Sequence, residues 1–397
     1  MPAFRHGSIV SVVALALAAA VAAPTVAVAD MVPKSALAAL KKKGFDADDL
    51  KGVDKELAVP QAWIDASKKE TGTFLFRFNV APKHYQEMFA PFRERYPWIK
   101  IEYTRGVGAG RAVKPLEAFK TGRLIADVVG AFGSSMEDYL AANALARIDD
   151  LPAWKTVPDD MKSAQGLWSG FQLANWCMAY NKDKVKKSEL PATWKDLISP
   201  NSPLKGGRVG MGNRAHLWLI NLWGAPGYGP EYMTKTYIPS IFSTLKPQLR
   251  TEGIDALIKL ASVGEFDISV PSAAYRVLIL AKQGANVGFH CPEPVPMYFA
   301  EIGIFRTSTR MNQARLLVNW LLSREGQLMQ YVVTDSAAVH IGLRGAKYFP
   351  YADEIKDKKL AVRTLDLLIK ELPKVYKVWN PAWQSAGGKA EKGGDGG

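Results

Sequence analysis

Apolar positions along the chain switch between two periods. Residues 73–78 form a short run rich in phenylalanine, followed by a polar loop at 79–82, which is the pattern of a buried strand and its turn. Tyr85, Met88, Phe89, Phe92 and Tyr96 then recur at helical spacing until Pro97 stops the helix, and residues 99–103 return to a strand pattern. Strand, helix and strand within about 30 residues predict a βαβ unit with parallel strands and a right-handed crossover.

The unit repeats. Gly106, Gly108 and Gly110 lead into a helix through Leu116 and Phe119, and a third strand at 125–129 runs into Gly133, Ser134 and Ser135. A second set follows, with strands at 208–211 and 266–270 and helices at 216–223, 254–261 and 273–283. Residues 171–180 are extended in character and lie between the sets; 300–305 reads as a strand that leaves the second set, before helices at 313–322 and 327–333. These positions predict two α/β lobes: residues 30–175, then 176–299, with 300–383 returning to the first lobe and carrying C-terminal helices. Two passages predict a hinge of two crossing strands above a cleft. Ahead of the first strand, residues 29–70 are polar and helix-leaning, anchored by Trp63 and Ile64. Residues 384–397 hold no apolar side chain beyond alanine and are expected to be disordered. The pattern contains no solenoid repeat.

The N-terminus has its own pattern. After Arg5, residues 8–23 are uncharged and apolar, and Pro24 precedes the small-residue site Ala27-Val28-Ala29. The run is shorter than the roughly 20 residues of a spanning helix, so residues 1–29 read as a cleaved signal peptide, and without a twin-arginine pair the chain is expected to cross unfolded and work in the periplasm. Composition agrees with a globular product: 48% hydrophobic and 22% charged residues over 397 positions exclude a disordered chain and a polytopic membrane protein. Cleavage would remove Arg5 as the one charged residue and lower the net charge of +13 by one. A basic balance suits anionic partners, a small anion, a membrane surface or nucleic acid; export argues against nucleic acid, and the scattered lysines argue against one binding stripe. Two cysteines build neither a disulfide scaffold nor a four-cysteine zinc site.

Enzyme signatures fail one by one. Arg111 stands where a G-x-G-x-x-G loop needs its last glycine, no Walker sequence occurs, and Ser169 falls one place late in Gly166–Gly170 for a nucleophile elbow. His6, His84, His216, His290 and His340 are dispersed and form no H-E-x-x-H pair. No catalytic residue, cofactor or metal site is expected.

Several fragments carry a resemblance: residues 64–70, Ala126-Asp127-Val128-Val129, 178–185, 190–197, 205–211, 314–317 and 321–327, in that order. Together they resemble the periplasmic solute-binding proteins of ABC importers, in the branch with ferric-ion, thiamine, phosphonate and sugar-phosphate binders. The resemblance implies a two-lobe flytrap fold of the α/β class, a small-molecule solute, an ABC permease in the inner membrane as partner, and a monomer without catalytic turnover.

In open α/β sheets ligands sit at the carboxyl ends of the strands, beside helix N-termini. The corresponding loops span residues 79–84, 105–111, 133–135, 213–216 and 269–276, and the candidate ligand-binding residues are Asn79, His84, Arg105, Arg111, Ser134, Ser135, Trp176, Asn213, Arg214, Tyr275 and Arg276. Guanidinium forks pair with carboxylate or phosphate, so two arginines converging on a cleft would select an anion, whereas each alone could equally serve as a surface residue or an inter-lobe ion pair. Ferric-ion binders of the family carry two adjacent tyrosines; here Ala274-Tyr275 stands in their place and Arg276 follows, a poor cradle for a trivalent cation. The expected function is capture of a small anion, phosphorylated or carboxylated, with a ferric-ion binder and an exported enzyme on the same fold as alternatives. Cys177 and Cys291 lie near the two passages and are either bridged or two buried thiols.

Overall fold

The computed structural model describes residues 32–106, 110–349 and 351–389; the expected signal peptide and residues 390–397 lie outside the described residues. The strands are β1 (Phe74–Phe78), β2 (Ile101–Arg105), β3 (Val128–Gly130), β4 (Ser169–Asn181), β5 (Val209–Gly212), β6 (Gln248–Arg250), β7 (Ile268–Ala273), β8 (Val287–His290), β9 (Val295–Ile304) and β10 (Leu360–Val362). They join in the order β2-β1-β3-β9-β4-β7-β5-β6, with β10 beside β9 and β8 beside β4. At one end β1 pairs parallel with β2 and β3, and at the other β5 pairs parallel with β6 and β7. The antiparallel pair β4 and β9 connects the two ends. The helices that bear on the site are α1 (Gly110–Lys120), α2 (Ala215–Trp223), α3 (Ile254–Val263), α4 (Ala274–Lys282), α5 (Arg324–Thr334) and α6 (Leu365–Ser385).

Two separate hydrophobic cores give the two lobes. Phe74, Phe76 and Phe78 of β1 point into the first with Phe89, Phe92 and Trp320, while Leu75 and Arg77 alternate to a half-buried face, the period of two that a pleated strand imposes. Trp194, Trp218, Val209, Ile268 and Trp379 belong to the second. β4 passes between them: all 13 of its residues are buried, Phe171 and Leu173 in the first core and Trp176 and Met178 in the second. Central position within the sheet, covered on both faces, explains a strand without polar alternation.

Among the described residues the chain passes between the cores three times rather than the expected two. After β4 and the passage into β9, residues 344–349 and 351–360 lie between Leu343 in the first core and Ala361 in the second. The C-terminal helix therefore does not return to the first lobe: Leu368, Leu372, Val375, Trp379 and Trp383 of α6 fall on one face and pack into the second core against α2. The helix also reaches into the tail expected to be disordered, ending at Ser385, and Trp383 Nε1 donates to the Lys389 carbonyl at 2.9 Å. α2 is buried nearly all round because it lies between the sheet and α6, which is why it reads as uniformly apolar. Asn221, a buried polar residue of α2, donates to the carbonyls of Met297 at 2.8 Å and Ala361 at 2.7 Å and so ties β9 to β10.

Cys177 and Cys291 form a disulfide, buried with Ala274, Val295 and Tyr351 beside the crossing segments. Closing a loop over a sequence separation of 114 stabilises the fold by about 4–5 kcal/mol in the chain-entropy model. No helix among the described residues is long and apolar enough to cross a membrane.

Candidate functional site

Between the two cores lie adjoining cavities of about 230 Å³ and about 80 Å³, which share Asn79, Tyr275 and Arg276. Topology brings these residues together: Asn79 follows β1, Arg105 ends β2, Arg214 follows β5, and Tyr275 and Arg276 open α4 directly after β7. All are at carboxyl ends of parallel strands, where the helix that follows presents its N-terminus. His84, Arg105, Gln172, Asp255, Lys259 and Gln283 complete the polar wall of the larger cavity. The smaller adds Arg111, Trp176, Arg214, His216, Tyr298, Glu301 and Arg363.

Two glycines make room for two of the arginines. A Cβ at position 106 would stand 2.5 Å from Arg111 Cγ, and one at 212 would stand 2.8 Å from Arg214 Nη1. Arg111 donates from Nε to the Ala131 carbonyl at 2.9 Å, and the buried Arg214 donates from Nη1 to the Glu252 carbonyl at 3.1 Å. Arg276 donates from Nε to the Tyr275 hydroxyl at 3.0 Å and from Nη1 to Asp255 at 3.1 Å. Burial works against its charge, and Tyr275 and Asp255 outweigh it, so its pKa lies above the ordinary arginine value. Arg363 is buried and lies over the Tyr298 ring, 4.7 Å from its centroid.

Four guanidiniums thus face the smaller cavity against one carboxylate. Burial pushes the Glu301 carboxyl up, with Arg363 and Arg111 pulling in the other direction. Burial and the neighbouring Tyr275 push the Tyr298 phenol up to about 12, again opposed by Arg363, Arg276 and Arg111. At neutral pH the phenol keeps its proton and can donate it to an acceptor. Trp176 stacks on Tyr298 with ring centroids 5.6 Å apart. Its buried Nε1 and the buried Oδ1 of Asn79 have no hydrogen-bond partner among the described residues, which leaves a donor and an acceptor for a bound molecule. No group of three or more His, Cys, Asp or Glu residues among those described is arranged to hold a metal ion.

Of the residues singled out from the sequence, Asn79, His84, Arg105, Arg111, Trp176, Arg214, Tyr275 and Arg276 line one or both cavities. Asn213 does not: its Oδ1 accepts from Trp379 Nε1 at 2.6 Å, so the side chain holds α6 in place. Ser135 does not either, being buried in the one-turn helix Gly133–Ser135, of which Gly133 reaches a cavity wall. The Ser134 side chain lies outside the described ones. Sequence reasoning missed Gln172, Asp255, Lys259, Tyr298, Glu301 and Arg363. Glu301 carried a readable signal, an acid inside an otherwise apolar strand; Arg363 carried none, since the strand before it has only three residues and no loop pattern marks it.

Comparison with known proteins follows the geometry. The family described as bacterial extracellular solute-binding protein matches residues 80–328. Iron-bound HitA from Pseudomonas aeruginosa superposes with a TM-score of 0.64 at 17% identity, covering 78% of this chain and 99% of that one. The substrate-binding protein of an ABC transporter from Agrobacterium tumefaciens gives 0.62 at 14%, covering 80% and 96%. AfuA from Actinobacillus pleuropneumoniae, with fructose-6-phosphate bound, gives 0.59 at 17%, covering 80% and 98%. No curated protein matches the chain in sequence.

Proposed function

The chain belongs to the bacterial extracellular solute-binding proteins, the periplasmic binding components of ABC importers, and on that premise we propose that its cleft captures a small anionic solute, phosphorylated or carboxylated, for delivery to an inner-membrane permease. The observation that carries the reading is the convergence of Arg111, Arg214, Arg276 and Arg363 on one cavity whose one carboxylate among the described residues, Glu301, has its pKa raised by burial. Guanidiniums in a site walled off from water bind carboxylate or phosphate far more strongly than the same groups on a surface. The bound phosphate of AfuA's sugar ligand is consistent with this class.

Capture follows from the division of the wall between lobes. Asn79, His84, Arg105 and Arg111 come from the first lobe and Arg214, Tyr275 and Arg276 from the second. A solute held by one set gains the other only when the lobes meet, so binding drives hinge closure through differential contacts. The residues 1–29 act in this reading as the export signal, and the cleft binds without turnover.

One observation supports a ferric-ion reading: Tyr275 and Tyr298 share the smaller cavity, and HitA holds iron. Four arginines and a Tyr298 phenol that keeps its proton up to about 12 oppose a trivalent cation there. A thermal-shift and calorimetric screen with inorganic phosphate, fructose 6-phosphate, 2-aminoethylphosphonate, citrate, thiamine and ferric citrate tests both. The anion reading expects saturable one-to-one binding of a phosphorylated or carboxylated compound with no product formed. Binding of thiamine alone, binding of iron without the accompanying anion, or turnover of a bound compound would overturn it.

A further inference from the structure

The family match ends at residue 328, yet the smaller cavity takes Arg363, Leu368 and Leu372 from the chain beyond it. Asn221 clamps Ala361 beside Met297, the Arg363 N–H donates to the Met297 carbonyl at 2.8 Å, and α6 packs on α2, so this segment is tied to the sheet it joins. Arg363 is 6% exposed, and its side chain makes one long hydrogen bond, from Nη1 to the His216 carbonyl at 3.5 Å, besides its stacking on Tyr298. No carboxylate among the described residues stands within ion-pair distance of it. A buried cation in that state is costly unless an anion arrives to complete it.

We propose that residues 360–372 are a specificity element of the binding cleft and that Arg363 anchors the anionic oxygen group of the solute. The inference rests on the anion reading above and extends it to a part of the chain outside the family match. A second observation points to the same ligand: Trp176 Nε1, on the same wall, is a buried donor without a partner among the described residues. The first turn of α2, with His216 and Leu217, adds the positive end of a helix to that wall. A volume of about 80 Å³ suits one compact group, since a whole drug-sized ligand needs at least about 300 Å³. The phosphate, phosphonate or carboxylate of the solute therefore seats against Arg363, Trp176 and Arg214, with Leu368 and Leu372 excluding water, and the remainder of the molecule extends into the larger cavity.

The test is calorimetry on the full mature protein with inorganic phosphate, 2-aminoethylphosphonate, fructose 6-phosphate and citrate. For the tightest of these probes, Arg363→Ala is expected to weaken binding about ten- to a hundredfold, the range of a charged hydrogen bond. Arg363→Lys is expected to recover part of the loss, and Lys374→Ala, an exposed substitution on α6 further along the chain, to change nothing. Should Arg363→Ala fail to fold, the lysine variant and a co-crystal of the wild type decide: the anionic group is expected within hydrogen-bonding distance of the Arg363 guanidinium. Unaltered affinity in a folded Arg363→Ala protein, or an anionic group seated elsewhere in the cleft, would overturn the role of the C-terminal segment and leave the anion reading standing. If the wild type binds none of the four probes, both fall together.

Discussion

Lys282, on α4 of the second lobe, donates to both carboxylate oxygens of Asp335, at 2.7 and 2.6 Å, where the chain leaves α5 of the first lobe. Lys43 reaches the same carboxylate from the first lobe at 2.5 Å. Thr334, the preceding residue, lines the larger cavity, so this ion pair spans the cleft at its edge. Lys282 is about half exposed, which limits such a pair to roughly 0.3–1 kcal/mol. Lys282→Ala is expected to weaken solute binding by about two- to fivefold, with the difference shrinking as salt is raised, and to leave the bound protein less compact in small-angle scattering. Equal affinities at low salt would show that the pair takes no part in closure.

The glycine at 212 is expected to be as important to binding as the arginine it accommodates. Gly212→Ala places a methyl group 2.8 Å from Arg214 Nη1 and 3.1 Å from Leu257 Cδ1, forcing the guanidinium to move. Affinity should fall about tenfold, comparable with the direct loss in Arg276→Ala, which removes one charged donor. Normal binding by Gly212→Ala would place Arg214 outside the set that touches the solute.

Stability should fall at acid pH through Glu354. Burial works against its charge, but His290 at 3.0 Å, the Cys291 N–H at 2.9 Å and Lys358 at 2.8 Å outweigh it and hold the carboxyl at about 2, against an ordinary 4.5. Because the folded pKa is the lower one, the stabilisation is fully present above about pH 4.5 and is lost as pH falls toward about 2. Its size is on the order of 2 kcal/mol, allowing for the partial exposure of the carboxylate. Glu354→Gln should melt lower than the wild type at pH 7, and the two melting curves should converge across that window. A constant difference down to about pH 2 would assign the stabilisation to something other than the ionised carboxylate.

The two lobes and the strand ends that meet at the cleft were legible because both rest on local pattern. The phenylalanines of β1 alternate, the helix of α4 follows its strand without a break, and the rule placing ligands at carboxyl strand ends picked out seven residues that line the cavities. What was missed depends on tertiary partners. α6 shows its apolar spacing plainly at Leu368, Leu372, Val375, Trp379 and Trp383, but Pro373 and Pro381 interrupt the pattern, and periodicity reveals a buried face without revealing what covers it. Asn213 occupies the expected loop and still turns away, because the Trp379 indole, 166 residues further along, needs an acceptor. Tyr298 and Arg363 enter the site through the crossing segments, whose number the sequence pattern understated.

Native mass spectrometry of the protein purified from its own periplasm without added ligand tests the central claim most directly. The account predicts one solute per chain, a small organic molecule bearing a phosphate, phosphonate or carboxylate group and released when the protein is denatured. A bound ferric ion without an organic anion, or a neutral or cationic solute in its place, would contradict it.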